Sequence, residues 1–158
     1  MYKASSFVRQ LRAIAPVLLL VLLVMPWHLS FGQDEDVNRV LLNLLTKVEA
    51  MPSGHEREVS GNEMFRYAVK LEKPAIATID DQTIDRIAKL LLDTDSSVKW
   101  YAAKSLGHFG IRARRALPAL RYALYHAKTK ELIIVVNSAD PISTMEEAIS
   151  FIEQSGSE

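Results

Sequence analysis

The sequence predicts an all-α fold in which helices pack against one another in pairs. Apolar residues recur at helical spacing along nearly the whole chain beyond residue 33. The breaks between these stretches carry Asp, Ser, Gly and Pro, the residues that cap and end helices. Short patterns also repeat along the chain, which is typical of stacked helical units. A chain of 158 residues is expected to form one compact domain.

Residues 1–32 differ in composition from the rest of the chain. They carry three basic residues and no acidic residue, and the run 13–25 is apolar throughout. Small residues stand at Ser30 and Gly32, just before Gln33. A charged start, a short apolar middle and a small-residue exit are the three parts of a secretory signal peptide. We therefore expect cleavage between Gly32 and Gln33, with residues 33–158 exported to the periplasm or secreted.

A retained membrane anchor is the competing interpretation of this segment. A spanning helix needs about 20 apolar residues, whereas the run 13–25 provides about 20 Å of helix. Pro16 also disfavours one straight helix. A single-pass, membrane-anchored structural subunit is thus the alternative to an exported soluble protein, and a buried core helix is a third interpretation.

The first two helices are placed by their caps and breakers. The first begins near Asp34 or Asp36 and ends at Pro52. The pattern Ser-Gly-Asn-Glu at 60–63 has the spacing of a capping box, which predicts that the second helix starts there. Pro74 is expected to end the second helix.

The third and fourth helices are separated by a polar turn. Residues 80–92 are expected to form the third helix, and residues 97–108 the fourth. The turn at 93–96, Asp-Thr-Asp-Ser, also caps the fourth helix. Ala102 and Ala103 are small residues on its apolar face, so we expect neighbouring helices to approach closely there.

The last two helices flank an ambiguous segment. The fifth is predicted over 112–127 with Pro118 inside it, so its start is kinked or later than that range. The sixth begins at Asp140-Pro141, a cap followed by an N1 proline. Between them, Leu132–Val136 is a run of aliphatic residues that suits a strand, a buried helical turn or an extended linker.

Together the predicted helices supply one continuous apolar core. The residues expected to face it are Val37, Val40, Leu41, Leu44, Leu45, Val48, Met64, Phe65, Ala68, Val69, Leu71, Ile84, Ile87, Ala88, Leu91, Val98, Ala102, Ala103, Leu106, Ala113, Leu117, Leu120, Leu124, Ala127, Ile142, Met145, Ala148, Ile149 and Ile152.

Sequence patterns recur from one helix to another. The pattern Val-Asn-Arg-Val at 37–40 returns as Ile-Asp-Arg-Ile at 84–87. Tyr-Ala-Val-Lys at 67–70 returns as Tyr-Ala-Ala-Lys at 101–104. Three helix pairs stacked side by side follow from this repetition. Because an isolated pair cannot bury its apolar face, each pair needs its neighbours to complete the core.

One stretch resembles a known repeat family. Residues 87–99, IAKLLLDTDSSVK, followed by Ala102-Ala103 and Leu106-Gly107, are similar to a HEAT repeat of the short bacterial, PBS-lyase-like type. The resemblance covers residues 80–125 best and implies an α-solenoid of about three HEAT-like pairs with a protein-interaction role. Lys99 stands where that family usually has an arginine that braces the turn. Fold alone does not identify the partner.

The sequence offers little chemistry for catalysis. It has no cysteine, which excludes disulfides, thiolate catalysis and cysteine-ligated zinc. His55-Glu56 begins like a zinc-protease motif, but Val59 occupies the position of the required second histidine. There is no glycine-rich phosphate loop. We therefore expect a protein that is not an enzyme, with no cofactor and no metal site.

Charge is segregated in the C-terminal half. Eight basic residues and no acidic ones lie in 96–130, whereas 131–158 contains six acidic residues and no Lys or Arg. The spacing predicts that basic residues line one helix face and flank an exposed tryptophan. The predicted binding residues are Lys99, Trp100, Lys104, Arg114, Arg121 and Lys128.

An exposed tryptophan among cations has the composition of a binding hot spot. An acidic protein is the expected partner, with an anionic lipid or an acidic glycan as further possibilities, and nucleic acid is disfavoured for an exported protein. The alternative is that Trp100 packs on a helix of the neighbouring pair. The cations would then form a solvated face, partly neutralised by Glu146, Glu147 and Glu153.

Overall fold

The computed structural model describes residues 36–130 and 140–156. Within these ranges every regular element is a helix, which confirms the predicted all-α class. The elements are α1 (Val37–Ala50), α2 (His55–Ala68), α3 (Lys73–Ala77), α4 (Asp81–Lys89), the 3-10 helix Leu90–Leu92, α5 (Ser96–Phe109), the 3-10 helix Gly110–Ala116, α6 (Leu117–Lys130) and α7 (Pro141–Gln154). No helix in these ranges is long and apolar enough to cross a membrane. The signal-peptide prediction for 1–32 and the ambiguous run Leu132–Val136 lie outside the described residues.

Aspartates begin four of the helices. The Asp36 carboxylate accepts a hydrogen bond from the backbone N–H of Asn38 at 3.1 Å, which caps α1. Asp80, Asp95 and Asp140 cap α4, α5 and α7 in the same manner. Each carboxylate satisfies N–H groups that have no partner inside the helix. The predicted starts of the first, third, fourth and sixth helices are therefore confirmed to within about two residues.

The predicted capping box at 60–63 is wrong. Helix α2 begins at His55 after Gly54, whose φ of 129° is a conformation that favours glycine. Ser60 lies inside α2 and its hydroxyl donates to the Glu56 carbonyl at 3.0 Å instead of capping. A Cβ at Gly61 would lie 3.1 Å from the Tyr101 ring. The small residues at 60 and 61 thus permit close helix packing.

Prolines mark two further differences from the predicted helices. Helix α2 ends at Ala68, and Pro74 lies in the first turn of α3, a short helix that the sequence patterns did not indicate. Pro118 lies in the first turn of α6, where its missing N–H would have had no partner in the helix. The fifth predicted helix accordingly starts late, after a 3-10 segment.

The helices pack in adjacent pairs around one core. Helix α1 packs on α2, α4 on α5, and α6 on α7, while α5 lies between α2 and α7. Most residues predicted to face the core are fully or partly buried, including Ala102 and Ala103, which have no exposed surface. Val69 is an exception at 39% exposed, because α2 ends one residue earlier and its apolar face does not continue.

Helices α5 and α7 approach each other closely at Gly107. A Cβ added to Gly107 would lie 3.2 Å from the Cα and 3.3 Å from the Cβ of Ala148. Both positions therefore carry small residues because the two backbones nearly touch. Around this crossing Leu106, Met145 and Ile152 are completely buried, so α7 is held by apolar packing over its whole length.

Candidate binding surface

Trp100 lies on α5 and is half-buried. Its ring meets Phe65 of α2 at a centroid distance of 5.3 Å and Tyr101 at 5.3 Å, both in edge-to-face geometry. Lys104, one turn further along α5, places its ammonium group 5.8 Å from the Trp100 ring centroid. The tryptophan thus packs on the helix of the neighbouring pair, as the alternative interpretation held, and still keeps part of its ring accessible.

The aromatic contacts extend across two helices. The ring centroids of Phe65 and Tyr101 are 5.7 Å apart, and both residues are half-buried. Burial, followed by the negative charges of Glu58 and Asp95, raises the pKa of the Tyr101 phenol above its usual range. These surroundings favour the neutral form of Tyr101. We call Phe65, Trp100, Tyr101 and Lys104 the Trp100 surface.

Three of the five predicted cations form ion pairs with α7. Their acidic partners are the three glutamates that the sequence offered as neutralising groups. The pairs are Lys104–Glu147 at 2.6 Å, Arg121–Glu153 at 2.6 Å and Lys128–Glu146 at 2.5 Å. All six side chains are at least one-third exposed, so each pair contributes at most about 1 kcal/mol. The predicted basic face is in large part a seam of opposite charges between helices.

The remaining predicted site residues are dispersed. Arg114 lies in the 3-10 helix before α6, so it does not share an α-helical face with Arg121 and Lys128. Lys99 is half-buried beside the turn that precedes α5, where its charge acts on Asp93. Of the six predicted residues, the structure brings Trp100 and Lys104 into direct contact.

A buried ion pair that the sequence patterns did not indicate links α2 to the turn before α5. The Arg57 guanidinium donates to both Asp93 carboxylate oxygens, from Nε at 3.2 and 3.3 Å and from Nη2 at a shorter distance. Its Nη1 donates to the carbonyls of Val48 at 2.7 Å and Met51 at 2.6 Å. The two side chains are only 15% and 6% exposed. Arg57 therefore joins the end of α1 to the turn of the following pair.

The charge of Asp93 is stabilised by its neighbours. Burial alone would raise the pKa of this carboxyl group. Hydrogen bonds from Arg57 and from the Asp95 backbone, together with the charges of Arg57 and Lys99, outweigh burial and lower the pKa below its usual range. The neighbours of Asp93 thus favour its ionised form, and this arrangement is structural because the carboxylate is almost completely buried.

Comparison of the chain with protein-family models, with curated proteins and with solved structures finds no match. In the described part of the chain, no three His, Asp or Glu side chains lie close enough together to hold a metal ion. The Trp100 surface is therefore judged on its own geometry.

Proposed function

We propose that this chain is an exported helical-repeat protein that works as a protein-interaction module through its Trp100 surface. The pairing of α1 with α2, α4 with α5 and α6 with α7 supports a solenoid of three pairs. The second helices α2, α5 and α7 are then successive neighbours, so Phe65, Trp100 and Glu147 lie on one row of helices. The charged and apolar pattern of residues 1–32 supports export.

The observation that carries the proposal is the environment of Trp100. Its ring is held in place by edge contacts to Phe65 and Tyr101, yet it remains partly exposed beside the Lys104 ammonium group. A rigid aromatic side chain loses little conformational entropy on binding and offers both an apolar face and a polar N–H. These are the properties of residues that dominate protein interfaces.

We infer that the partner is an acidic protein. The Lys104 ammonium group is shared between the Trp100 ring and Glu147, whose side chain is 55% exposed. An incoming carboxylate can replace Glu147 without leaving a buried charge unpaired. Lys99, next to Trp100 in sequence, adds positive charge here, although it is half-buried and its charge also acts on Asp93. Such contacts speed association more than they strengthen the complex.

Affinity capture from the exported fraction of the native host tests this proposal. The mature chain is immobilised as wild type, as Trp100→Ala and as Tyr125→Ala, an exposed aromatic control on α6. We expect a specific protein to be retained by wild type and Tyr125→Ala and lost from Trp100→Ala. Equal retention by all three variants would exclude the Trp100 surface. The mass of the mature chain, starting near Gln33, tests export independently.

A further inference from the structure

A groove with apolar walls lies where α5 and α7 end. It has a volume of about 500 Å³ and is bounded by α3, the second 3-10 helix and the last turn of α7. Phe151 is 62% exposed and Ile111 is 47% exposed on its walls, and Ile76 is half-buried between them. Large apolar side chains with this exposure on neighbouring elements are a feature of binding sites more than of ordinary surface.

Gly110 lines the groove at the end of α5. Its φ of 52° lies in the left-handed region, which ends α5 and turns the chain into the 3-10 helix. A Cβ at this position would lie 3.0 Å from the Ser155 hydroxyl oxygen of α7. The end of α5 therefore contacts the end of α7 at Gly110. Phe109 of α5 and Phe151 of α7 both line the groove beside this contact.

The charged side chains that line this hollow of about 500 Å³ have one sign. Of the described residues that line it, none is Asp or Glu, whereas Lys73 and Arg112 are cationic. Arg112 is fixed by its Nε, which donates to the Ile79 carbonyl at 2.5 Å, and by an ion pair with Asp81 at 2.9 Å. Lys73 is exposed and makes no ion pair within the described ranges. Its charge is thus available to a ligand.

A second hollow adjoins the first. It has a volume of about 320 Å³ and lies between α5 and α7, beside Gly107 and Ala148. Phe151 and His108 are among the residues that line both hollows, and the second hollow is also lined by Lys104 and Glu147, which form an ion pair with each other. An exposed aromatic ring between two shallow hollows fits successive side chains of one bound segment better than it fits a single enclosed small molecule.

We propose that this groove, which we call the Phe151 groove, binds an acidic amphipathic peptide segment of a partner protein. Apolar side chains of the segment would occupy the two hollows on either side of Phe151, and a carboxylate would face Lys73. In this mode of peptide recognition, the apolar side chains of an amphipathic segment bind in a groove that exists before the peptide arrives. The site shares Lys104 with the Trp100 surface, because Lys104 lines the second hollow, whereas Phe65, Trp100 and Tyr101 line neither hollow.

Fluorescence anisotropy with synthetic peptides tests the Phe151 groove. The probe is a labelled peptide of Leu and Glu at helical spacing, and matched peptides carry Lys for Glu or Ser for Leu. The full wild-type chain is compared with Phe151→Ser, Lys73→Glu and Trp100→Ala. Tyr125→Ser, at an equally exposed aromatic position (65%) on α6, is the control. Because Phe151 and Lys73 are exposed, both substitutions should leave the thermal unfolding of the protein close to that of the wild type.

The Leu/Glu peptide should bind the wild type, and Phe151→Ser and Lys73→Glu should each weaken it about tenfold. Tyr125→Ser and Trp100→Ala should leave its affinity unchanged, so a failed Trp100 surface and a failed groove are distinguishable. The inference is overturned if no peptide binds, if the Leu/Lys peptide binds equally well, or if both groove variants bind as wild type. Binding of anionic phospholipid vesicles without peptide binding would assign the groove to lipid and overturn it as well.

Discussion

Arg57 and Asp93 are 36 residues apart in sequence and form a buried ion pair with two hydrogen-bonded oxygens. The guanidinium also donates hydrogen bonds to the carbonyls of Val48 and Met51 at the end of α1. The Arg57 side chain therefore donates hydrogen bonds both to carbonyls at the end of α1 and to the buried carboxylate in the turn before α5. This relationship fixes the position of the first helix pair against the second.

Replacing Arg57 by Ala should destabilise the fold by about 3–5 kcal/mol, because it leaves the Asp93 charge buried without its partner. The carbonyls of Val48 and Met51 would also lose their donor. Urea unfolding at neutral pH measures the change. Arg66→Ala, an exposed arginine on the same helix, should change stability by less than about 0.5 kcal/mol. Equal, small effects for both variants would contradict a structural role for the Arg57–Asp93 pair.

Acid should weaken the fold through Asp93. Its pKa is lowered in the folded state, so the folded protein binds fewer protons than the unfolded chain as pH falls below the ordinary carboxyl pKa of about 4. The contribution of Asp93 is thus complete above about pH 4 and is lost as pH falls through the lowered pKa. Unfolding of wild type and Asp93→Asn from pH 7 to pH 3 measures this. The stability difference between them should shrink below about pH 4, and a constant difference would contradict the assignment.

The crossing of α5 and α7 should not accept a larger side chain at Gly107. Gly107→Leu should cost about 1–3 kcal/mol, because its first added atom already lies 3.2 Å from the Ala148 backbone. Leu is a better helix former than Gly, and this favours the variant by up to about 1 kcal/mol. Thermal unfolding of the wild type and Gly107→Leu measures the net change in stability, which we expect to be a loss. A stabilised Gly107→Leu variant would show that α7 does not pack here.

Apolar burial should hold α7 more strongly than its ion pairs do. Met145 has no exposed surface, so Met145→Ala should cost about 2–5 kcal/mol. The adjacent Glu146 makes an exposed ion pair with Lys128, and Glu146→Ala should cost at most about 1 kcal/mol. Chemical unfolding of both variants measures the contrast. Comparable losses would mean that the charged seam, and not the core, fixes this helix.

Much of the fold could be predicted because local patterns determine it. Aspartate caps mark helix starts whatever the tertiary context, and the periodic apolar residues of α4 identify its buried face. The error at Ser60-Gly61 shows the limit of such patterns. A small residue pair suits both a helix cap and a close helix crossing, and only the position of Tyr101 on another helix distinguishes them.

The candidate site could be predicted only in part. Helical spacing places Lys104 next to Trp100, and the structure has that contact. The sequence could not determine that Phe65 would cover one edge of the Trp100 ring, because their separation of 35 residues is closed only by packing. The same holds for Arg57 and Asp93: the sequence marks Asp93 only as part of a polar turn, and its contact with Arg57 of α2 is made only by packing.

The dissociation rate of the captured partner tests the central claim most directly. Surface plasmon resonance would compare the wild type, Trp100→Ala and Tyr125→Ala at low and high salt, with the thermal stability of each variant measured in parallel. The Trp100 surface predicts that Trp100→Ala speeds dissociation at every salt concentration, at a cost of about 2 kcal/mol or more in binding, while Tyr125→Ala behaves as wild type. Partner dissociation from folded Trp100→Ala at the wild-type rate would contradict the claim that this surface is the binding site.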